Sequence, residues 1–311
     1  MKSIIITGAN SGIGFECALQ MAKIAPDEQI ILACRNIKSG KDAIERIRQK
    51  TGHHHLVVLP IDLASLSSIR NFKKEFLKFP DCIITALVNN AGIQNIGKTA
   101  YTQDGFEITF GTNHLGPFYL SVLLLPFMDK NSSITFTASD THDPLQKTGI
   151  EPPVYISGEL LAYPKETSEK DLKAGQRRYS TSKLCNILTT YTLHEKLTDK
   201  NIRVNAFDPG LTPGTGLARN YPSALKFVWK NILPVLTYFR KNTNLPSKSG
   251  KRLAHLAYSE EFSNLKGIYF SDGKVTKSSE DSYNKDFQND LWKSSIELTK
   301  IEQNDTNISL I

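Results

Sequence analysis

Short runs of β-branched and apolar residues alternate along the chain with longer helix-like stretches. The runs lie at Ser3–Thr7, Gln29–Cys34, Leu56–Ile61, Ala86–Asn89, Ser133–Ala138, Ile202–Phe207 and Gly267–Phe270. Most are almost continuously apolar, which predicts strands covered on both faces. Helices are predicted between them over about Gly12–Ile24, Lys38–Gln49, Leu66–Phe76, Gly105–Met128 and Tyr179–Leu197. This alternation predicts an α/β, doubly wound Rossmann fold: a mostly parallel sheet of about seven strands with helices on both faces. Pro and Gly punctuation marks no domain boundary, so a single domain is expected over residues 1–311.

Two stretches resist the pattern. Asp140–Arg178 carries Pro144, Pro152, Pro153 and Pro164 with little periodicity, and so long a loop is usually functional. Pro209–Ser259 holds no Asp or Glu but eight basic residues, and elsewhere 30 Lys and Arg meet 31 Asp and Glu. The net charge of +7 is therefore one local feature, and nucleic acid is not an expected partner. At its centre, Ser223–Lys241 mixes aromatic residues with lysines and is broken by Pro234. It reads as a soluble substrate-binding helix pair in preference to an amphipathic lid making peripheral contact with an anionic membrane. Lys226 and Lys230 are too costly for it to span one.

Composition adds bounds. The 311 residues are 40% hydrophobic, enough for a large core and unlike a disordered chain. Cys17, Cys34, Cys82 and Cys185 lie far apart, which argues for a reducing compartment and against a disulfide framework or structural zinc. The opening MKSIIITG is too short an apolar stretch for a signal or anchor, so a cytoplasmic protein is expected. His53-His54-His55 reads as a polar turn, and no metal site is expected.

The chemistry starts in the first turn. TGANSGIG (Thr7–Gly14) puts Gly8, Gly12 and Gly14, with Asn10, Ser11 and Ile13, between a strand and a helix N-terminus. Such a turn lets backbone amides approach a pyrophosphate. The second strand ends at Cys34 with Arg35 after it and no acid, which suits the 2′-phosphate of NADP(H) better than the bare ribose of NAD(H). Asp62, Leu63 and the run Asn90, Ala91 and Gly92 fall at further strand ends, where open sheets bind ligands. Tyr179 and Lys183, four residues apart, share one helical face at the start of a helix. A neighbouring ammonium stabilises a phenolate and makes tyrosine a usable acid or base.

In order, TGANSGIG, NNAG, TNHLG, Ser139, YSTSK and RVNAFDPG resemble the short-chain dehydrogenase/reductase family, over residues 3–300. LACRN, NHLGPF, SKLCNIL and GIYFSDGK are similar to its branch of retinol dehydrogenases and light-dependent protochlorophyllide reductases. The resemblance implies a catalytic tetrad of Asn113, Ser139, Tyr179 and Lys183. In it, Tyr179 gives the proton, Ser139 holds the substrate oxygen, Lys183 binds the nicotinamide ribose, and Asn113 holds a water leading to solvent. Further cofactor contacts are implied at Pro209 and Gly210. Where the family usually has Thr or Ser this chain has Gly214, leaving either Thr212 or Thr215 for the nicotinamide amide.

The implied activity is NADP(H)-dependent interconversion of a carbonyl and an alcohol on a lipophilic small molecule. Reduction of an activated C=C bond and a non-catalytic NADP(H)-sensing protein are the alternatives. The N-terminal anchor of many animal retinol dehydrogenases is not expected. The family's dimer face, on helices beginning near Gly105 and Tyr179, implies either a homodimer or, if the C-terminal region intervenes, a monomer. The long insert and Leu217–Tyr238 are expected to wall the substrate pocket. His142 reads as a substrate contact or an exposed loop residue, and Cys185 as core.

Overall fold

A computed structural model of the chain describes residues 1–166, 168–216 and 242–310. It begins as the apolar pattern predicts, with β1 (Ser3–Thr7), α1 (Gly12–Ile24), β2 (Gln29–Cys34), α2 (Ile37–Thr51), β3 (Leu56–Pro60), α3 (Leu66–Phe76) and β4 (Ile84–Asn89). Next come α4 (Ile108–Phe110), a π turn (Gly111–Leu115), α5 (Gly116–Leu124), β5 (Met128–Thr137), α6 (Gly158–Ala162), α7 (Asp171–Lys196) and β6 (Arg203–Asp208). The chain ends with α8 (Pro246–Tyr258), β7 (Tyr269–Ser271), β8 (Lys274–Thr276) and α9 (Lys285–Thr299).

The strands form one sheet in the order β3-β2-β1-β4-β5-β6-β7-β8. All pairs are parallel except β7 with β8. Strand β1 shows why the runs are continuously apolar. Ile5 packs on one face with Ile31, Leu87 and Phe118, while Ile4 and Ile6 pack on the other with Ile30, Val88 and Leu253. Successive side chains of a strand point to opposite faces, so both sets are buried by flanking helices. The order reverses between β1 and β4, and at such a switch point a crevice opens outside the strand C-termini.

Several features differ from the sequence-based expectation, besides the two helices α8 and α9. The helix expected over Gly105–Met128 is interrupted by the π turn, and β5 already begins at Met128. Helix α7 begins at Asp171, so Tyr179 and Lys183 sit inside it rather than at its start. An eighth strand, β8, is exposed throughout and so carries no apolar signature. The insert after Ser139 is ordered by a 3-10 turn, by α6 and by specific anchors. Ser180 Oγ donates to Glu151 O (2.7 Å), and Tyr155 Oη donates to Asp290 Oδ2 (2.6 Å).

Helix α9 covers the outer sides of α5 and α7: Trp292 meets Phe118 edge-on at 5.2 Å, and Leu291 packs with Leu184 and Leu188. Of the acid-free basic stretch, α8 is described, whereas residues 217–241, and with them all of Leu217–Tyr238 and Ser223–Lys241, lie outside the described residues. Among the described residues no helix is long and apolar enough to cross a membrane, and no group of three His, Cys, Asp or Glu is placed to hold a metal.

Candidate active site

A cavity of about 440 Å³ opens at the switch point, along the C-terminal ends of the parallel strands. Every residue singled out from the sequence for cofactor or chemistry lines it, except Gly14 and Asn113. The first wall is the turn between β1 and α1. Gly8 and Gly12 have φ of +68° and +57°, conformations that an L side chain rarely adopts. Gly14 serves packing instead: a Cβ there would lie 2.5 Å from Gly8 O and 2.6 Å from Asn90 Nδ2. Ser11 caps α1 without a side-chain bond to the helix, and the first turn holds no acid. Ser11, Gly12 and Ile13 thus bring an uncompensated helix N-terminus to the cavity, a setting that suits a pyrophosphate.

Thr7, which the sequence reading passed over, ties this turn to the loop after β4. Its Oγ1 accepts from Asn90 N (2.9 Å) and Ala91 N (3.0 Å), while Asn90 Nδ2 donates to Thr7 O (2.9 Å). At the end of β2, Arg35 is exposed on the cavity rim with Asn36 and Ser39 beside it. Asn36 Oδ1 caps α2 through Ser39 N (2.9 Å), and Asn10 Nδ2 donates to Ser39 Oγ (3.1 Å). The carboxylates lining the cavity are Asp62 and Asp140, and neither stands at the end of β2. Asp62 Oδ1 accepts from Ala64 N (3.0 Å), and Leu63 is packed into the core.

The opposite wall holds Ser139, Tyr179 and Lys183 of the expected tetrad, with Asn113 outside the lining. Lys183 Nζ lies 5.6 Å from the Tyr179 ring centroid and donates to Thr137 O (2.8 Å). Burial of Lys183 pulls its pKa down to about 8, against the opposing pull of the Asp208 carboxylate. Ser139 follows β5 in extended conformation and caps the turn Asp140–His142. Its Oγ accepts from Thr141 N (3.3 Å) and donates to Asp140 Oδ1 (3.2 Å). Asn113 sits in the π turn, a winding often found at functional sites. Its side chain donates to Ile93 O (2.9 Å) and Ser182 Oγ (3.0 Å) and accepts from Ile93 N (2.8 Å).

The loop after β6 closes the site. Pro209 O accepts from Asn244 Nδ2 (3.0 Å) and Ser249 Oγ (2.8 Å), which anchors the loop to the start of α8. Gly210 adopts φ +70°. Thr212 Oγ1 donates to Gly210 O (3.1 Å), whereas Thr215 packs against Gly12. Asp208, inside the RVNAFDPG motif but given no role from sequence, is buried, and its carboxylate accepts from Gly210 N, Asn242 Nδ2 and Ser271 Oγ. His142 fits neither expectation. It is 1% exposed and stands behind the cavity wall, because its ring reaches Ser279 in the C-terminal region. Cys185 is core, as expected.

A glycine turn at the switch point with a buried tyrosine–lysine pair across the cavity defines a dinucleotide-dependent oxidoreductase site. Residues 2–149 match the family described as short chain dehydrogenase, and residues 217–308 match the AcuH dehydrogenase domain. Retinol dehydrogenase 12 of Mus musculus is 31% identical over 97% of this chain and 87% of its own length. Polyprenol dehydrogenase of Danio rerio is 30% identical over 97% of this chain and 87% of its own length. A crystal structure of an uncharacterised protein from Mycobacterium paratuberculosis matches with a TM-score of 0.68 at 26% identity, covering 96% of this chain and 94% of that one. The chain belongs to the short-chain dehydrogenase/reductase family, in its retinol-dehydrogenase-like branch. It is accordingly an oxidoreductase of the carbonyl/alcohol class, with a nicotinamide dinucleotide cofactor and a small-molecule substrate.

Proposed function

We propose that this protein is an NADP(H)-dependent oxidoreductase that interconverts a lipophilic carbonyl compound and its alcohol, with Tyr179 as acid and base. The observation that carries the reading is the buried Lys183 ammonium one helical turn from Tyr179, in the cavity that Ser139 also lines. When bound, the cofactor supplies or accepts the hydride.

In reduction, Tyr179 Oη gives its proton to the substrate oxygen. Ser139 Oγ turns its hydrogen from Asp140 to that oxygen and stabilises the charge developing there. Lys183 lowers the tyrosine pKa and holds the nicotinamide ribose. Asn113, fixed by its side-chain bonds to Ile93 and Ser182, holds a water leading from Lys183 to solvent. Arg35, with Asn36 and Ser39 beside it and no carboxylate, receives the 2′-phosphate. Thr215, against Gly12, serves the pyrophosphate end, and Thr212 the nicotinamide amide.

Three features support a lipophilic substrate. Ile150 of the insert lines the cavity, Leu145, Val154 and Ile156 nearby in sequence are exposed, and the relatives are named for retinol and polyprenol. One domain spans residues 1–311 in this reading, since a single sheet holds every described strand. The four unpaired cysteines accord with the cytoplasm.

The test follows NADPH and NADH oxidation with a panel of aldehydes, ketones and enones, using Tyr179→Phe and Arg35→Ala. Turnover is expected to prefer NADPH and to vanish in Tyr179→Phe, and the NADPH preference is expected to collapse in Arg35→Ala. Turnover surviving in Tyr179→Phe overturns the tyrosine mechanism. A wild-type preference for NADH overturns the cofactor assignment.

A further inference from the structure

His142 has both ring nitrogens engaged in a buried position where water does not reach. Nδ1 lies 2.6 Å from Ser139 O, and Nε2 lies 3.0 Å from Ser279 N. A carbonyl only accepts and a backbone N–H only donates, so the two contacts permit one tautomer. Nδ1 carries the hydrogen and Nε2 is the bare acceptor. Burial disfavours the imidazolium and keeps the ring neutral. The ring also packs at 4.8 Å on Tyr269, a buried residue of β7.

These contacts converge on one peptide. Ser139 O receives both the His142 imidazole and the His142 backbone N–H (3.2 Å). On the cavity side, the Ser139 hydroxyl caps the same turn. With its carbonyl gripped from behind and its side chain held to a single short turn, Ser139 has little freedom to change backbone rotation. The grip is braced from elsewhere in the fold, because Ser279 begins the 3-10 turn Glu280–Tyr283, beyond β8.

We propose that His142 is a positioning residue for Ser139: it locks the Ser139 peptide so that the hydroxyl faces the reacting oxygen. This rests on the reading of Ser139 as the residue that binds that oxygen. A misplacement of a few tenths of an ångström to one ångström at such a group costs up to about a hundredfold in rate. An Asn side chain has an N–H at nearly the place of Nδ1–H, so it can donate to Ser139 O, whereas Phe fills the space without donating.

The experiment compares wild type, Ser139→Ala, His142→Asn, His142→Phe and Ser139→Ala/His142→Phe, with decanal and NADPH. NADPH affinity is measured separately by fluorescence. His142→Phe is expected to lower kcat about tenfold or more with NADPH affinity retained, His142→Asn to recover most of that loss, and the double variant to be no slower than Ser139→Ala. If kcat is intact in His142→Phe, unrecovered in His142→Asn, or lost equally in the Ser139→Ala background, the positioning role is overturned while Ser139 stands. An unimpaired Ser139→Ala overturns the reading of Ser139 and this inference with it. NMR of histidine-labelled protein needs no substrate. It is expected to show a neutral Nδ1–H tautomer at neutral pH, and an Nε2–H or cationic ring would sink the proposal.

Discussion

Arg178 Nε lies 3.3 Å from Glu107 Oε1, a buried ion pair joining the two helical segments that carry Asn113 and Tyr179. Glu107 also accepts from Thr109 N (2.9 Å) and Phe110 N (2.7 Å), capping α4 just before the π turn. Arg178 directly precedes Tyr179 and donates to Gly97 O and Thr99 Oγ1 at 3.3 Å. Removing one partner strands a buried charge, and such losses cost about 3–5 kcal/mol. Arg178→Ala should therefore lower unfolding free energy by about 3 kcal/mol. Glu107→Gln, which keeps an amide oxygen for the helix cap, should lose less. Urea denaturation of both variants checks the order, and equal losses would show that stranding the arginine costs as much as stranding the carboxylate.

Helix α9 closes a face that would otherwise be apolar. Trp292 is 7% exposed, stacks edge-on against Phe118, donates from Nε1 to Leu310 O (3.2 Å) and lies under the Lys196 ammonium at 5.0 Å. Trp292→Ala should cost about 3 kcal/mol by opening a cavity there. Size-exclusion chromatography of this variant should also show self-association, because the outer sides of α5 and α7 lose their cover. A fully stable, monodisperse variant would show that the helix docks without Trp292.

The first half of the sheet was legible from residues 3–89 because strands buried on both faces leave continuous apolar runs. Helices α8 and α9 were missed for different reasons. In α8, the small and apolar inner face (Ser249, Gly250, Leu253, Ala254, Ala257) is interleaved with Lys248, Lys251 and Arg252, which blur its periodicity. In α9, only Leu291 and Trp292 mark the buried side, among serines and a glutamine whose burial rests on partners such as His114 for Ser295 and Ser282 O for Gln288. The glycine turn and the Tyr179–Lys183 spacing were readable because local geometry dictates them. Asp208 and His142 were not, since each takes its meaning from partners far along the chain: Ser271 and Asn242 for one, Ser279 for the other.

Lys183 exacts a stability cost for its place in the site. Its folded pKa of about 8 lies below the ordinary 10.5, so between these values the unfolded chain binds the extra proton. Stability from this group therefore rises with pH across that window. Below it, the charged, buried form costs about 3 kcal/mol. Lys183→Met should thus stabilise the fold at neutral pH, by about 1–3 kcal/mol, while removing turnover. Thr137 O would keep a donor, Asn186 Nδ2 at 3.1 Å, so no carbonyl is orphaned. Thermal melts at neutral pH decide the sign. A destabilised variant would mean that the ammonium's contacts outweigh its desolvation.

The same cation should set the pH dependence of the reaction. Two influences oppose each other at Lys183: burial lowers its pKa, and the nearby Asp208 carboxylate raises it. Reduction needs the ammonium beside a protonated Tyr179, so kcat/KM for reduction should be flat in weak acid and fall as pH rises through about 8. Asp208→Asn keeps an oxygen for Gly210 N, puts an amide NH2 where Ser271 Oγ and Asn242 Nδ2 now donate, and removes the negative charge. Only the lowering influence then remains, so the falling limb should move to more acidic pH. Its depth should stay that of one proton, because a single group is titrating. Oxidation of the alcohol should respond the other way in one respect. It begins from a deprotonated Tyr179, and with the Lys183 charge less well supported the phenolate loses its stabilising neighbour. The oxidative limb should therefore shift to higher pH in Asp208→Asn, as the reductive limb shifts lower. Paired pH profiles in both directions separate this from simple misfolding, which would lower both rates without moving either midpoint. Midpoints that stay fixed in both directions would show that Asp208 shapes the Gly210 loop and leaves the charge of Lys183 alone.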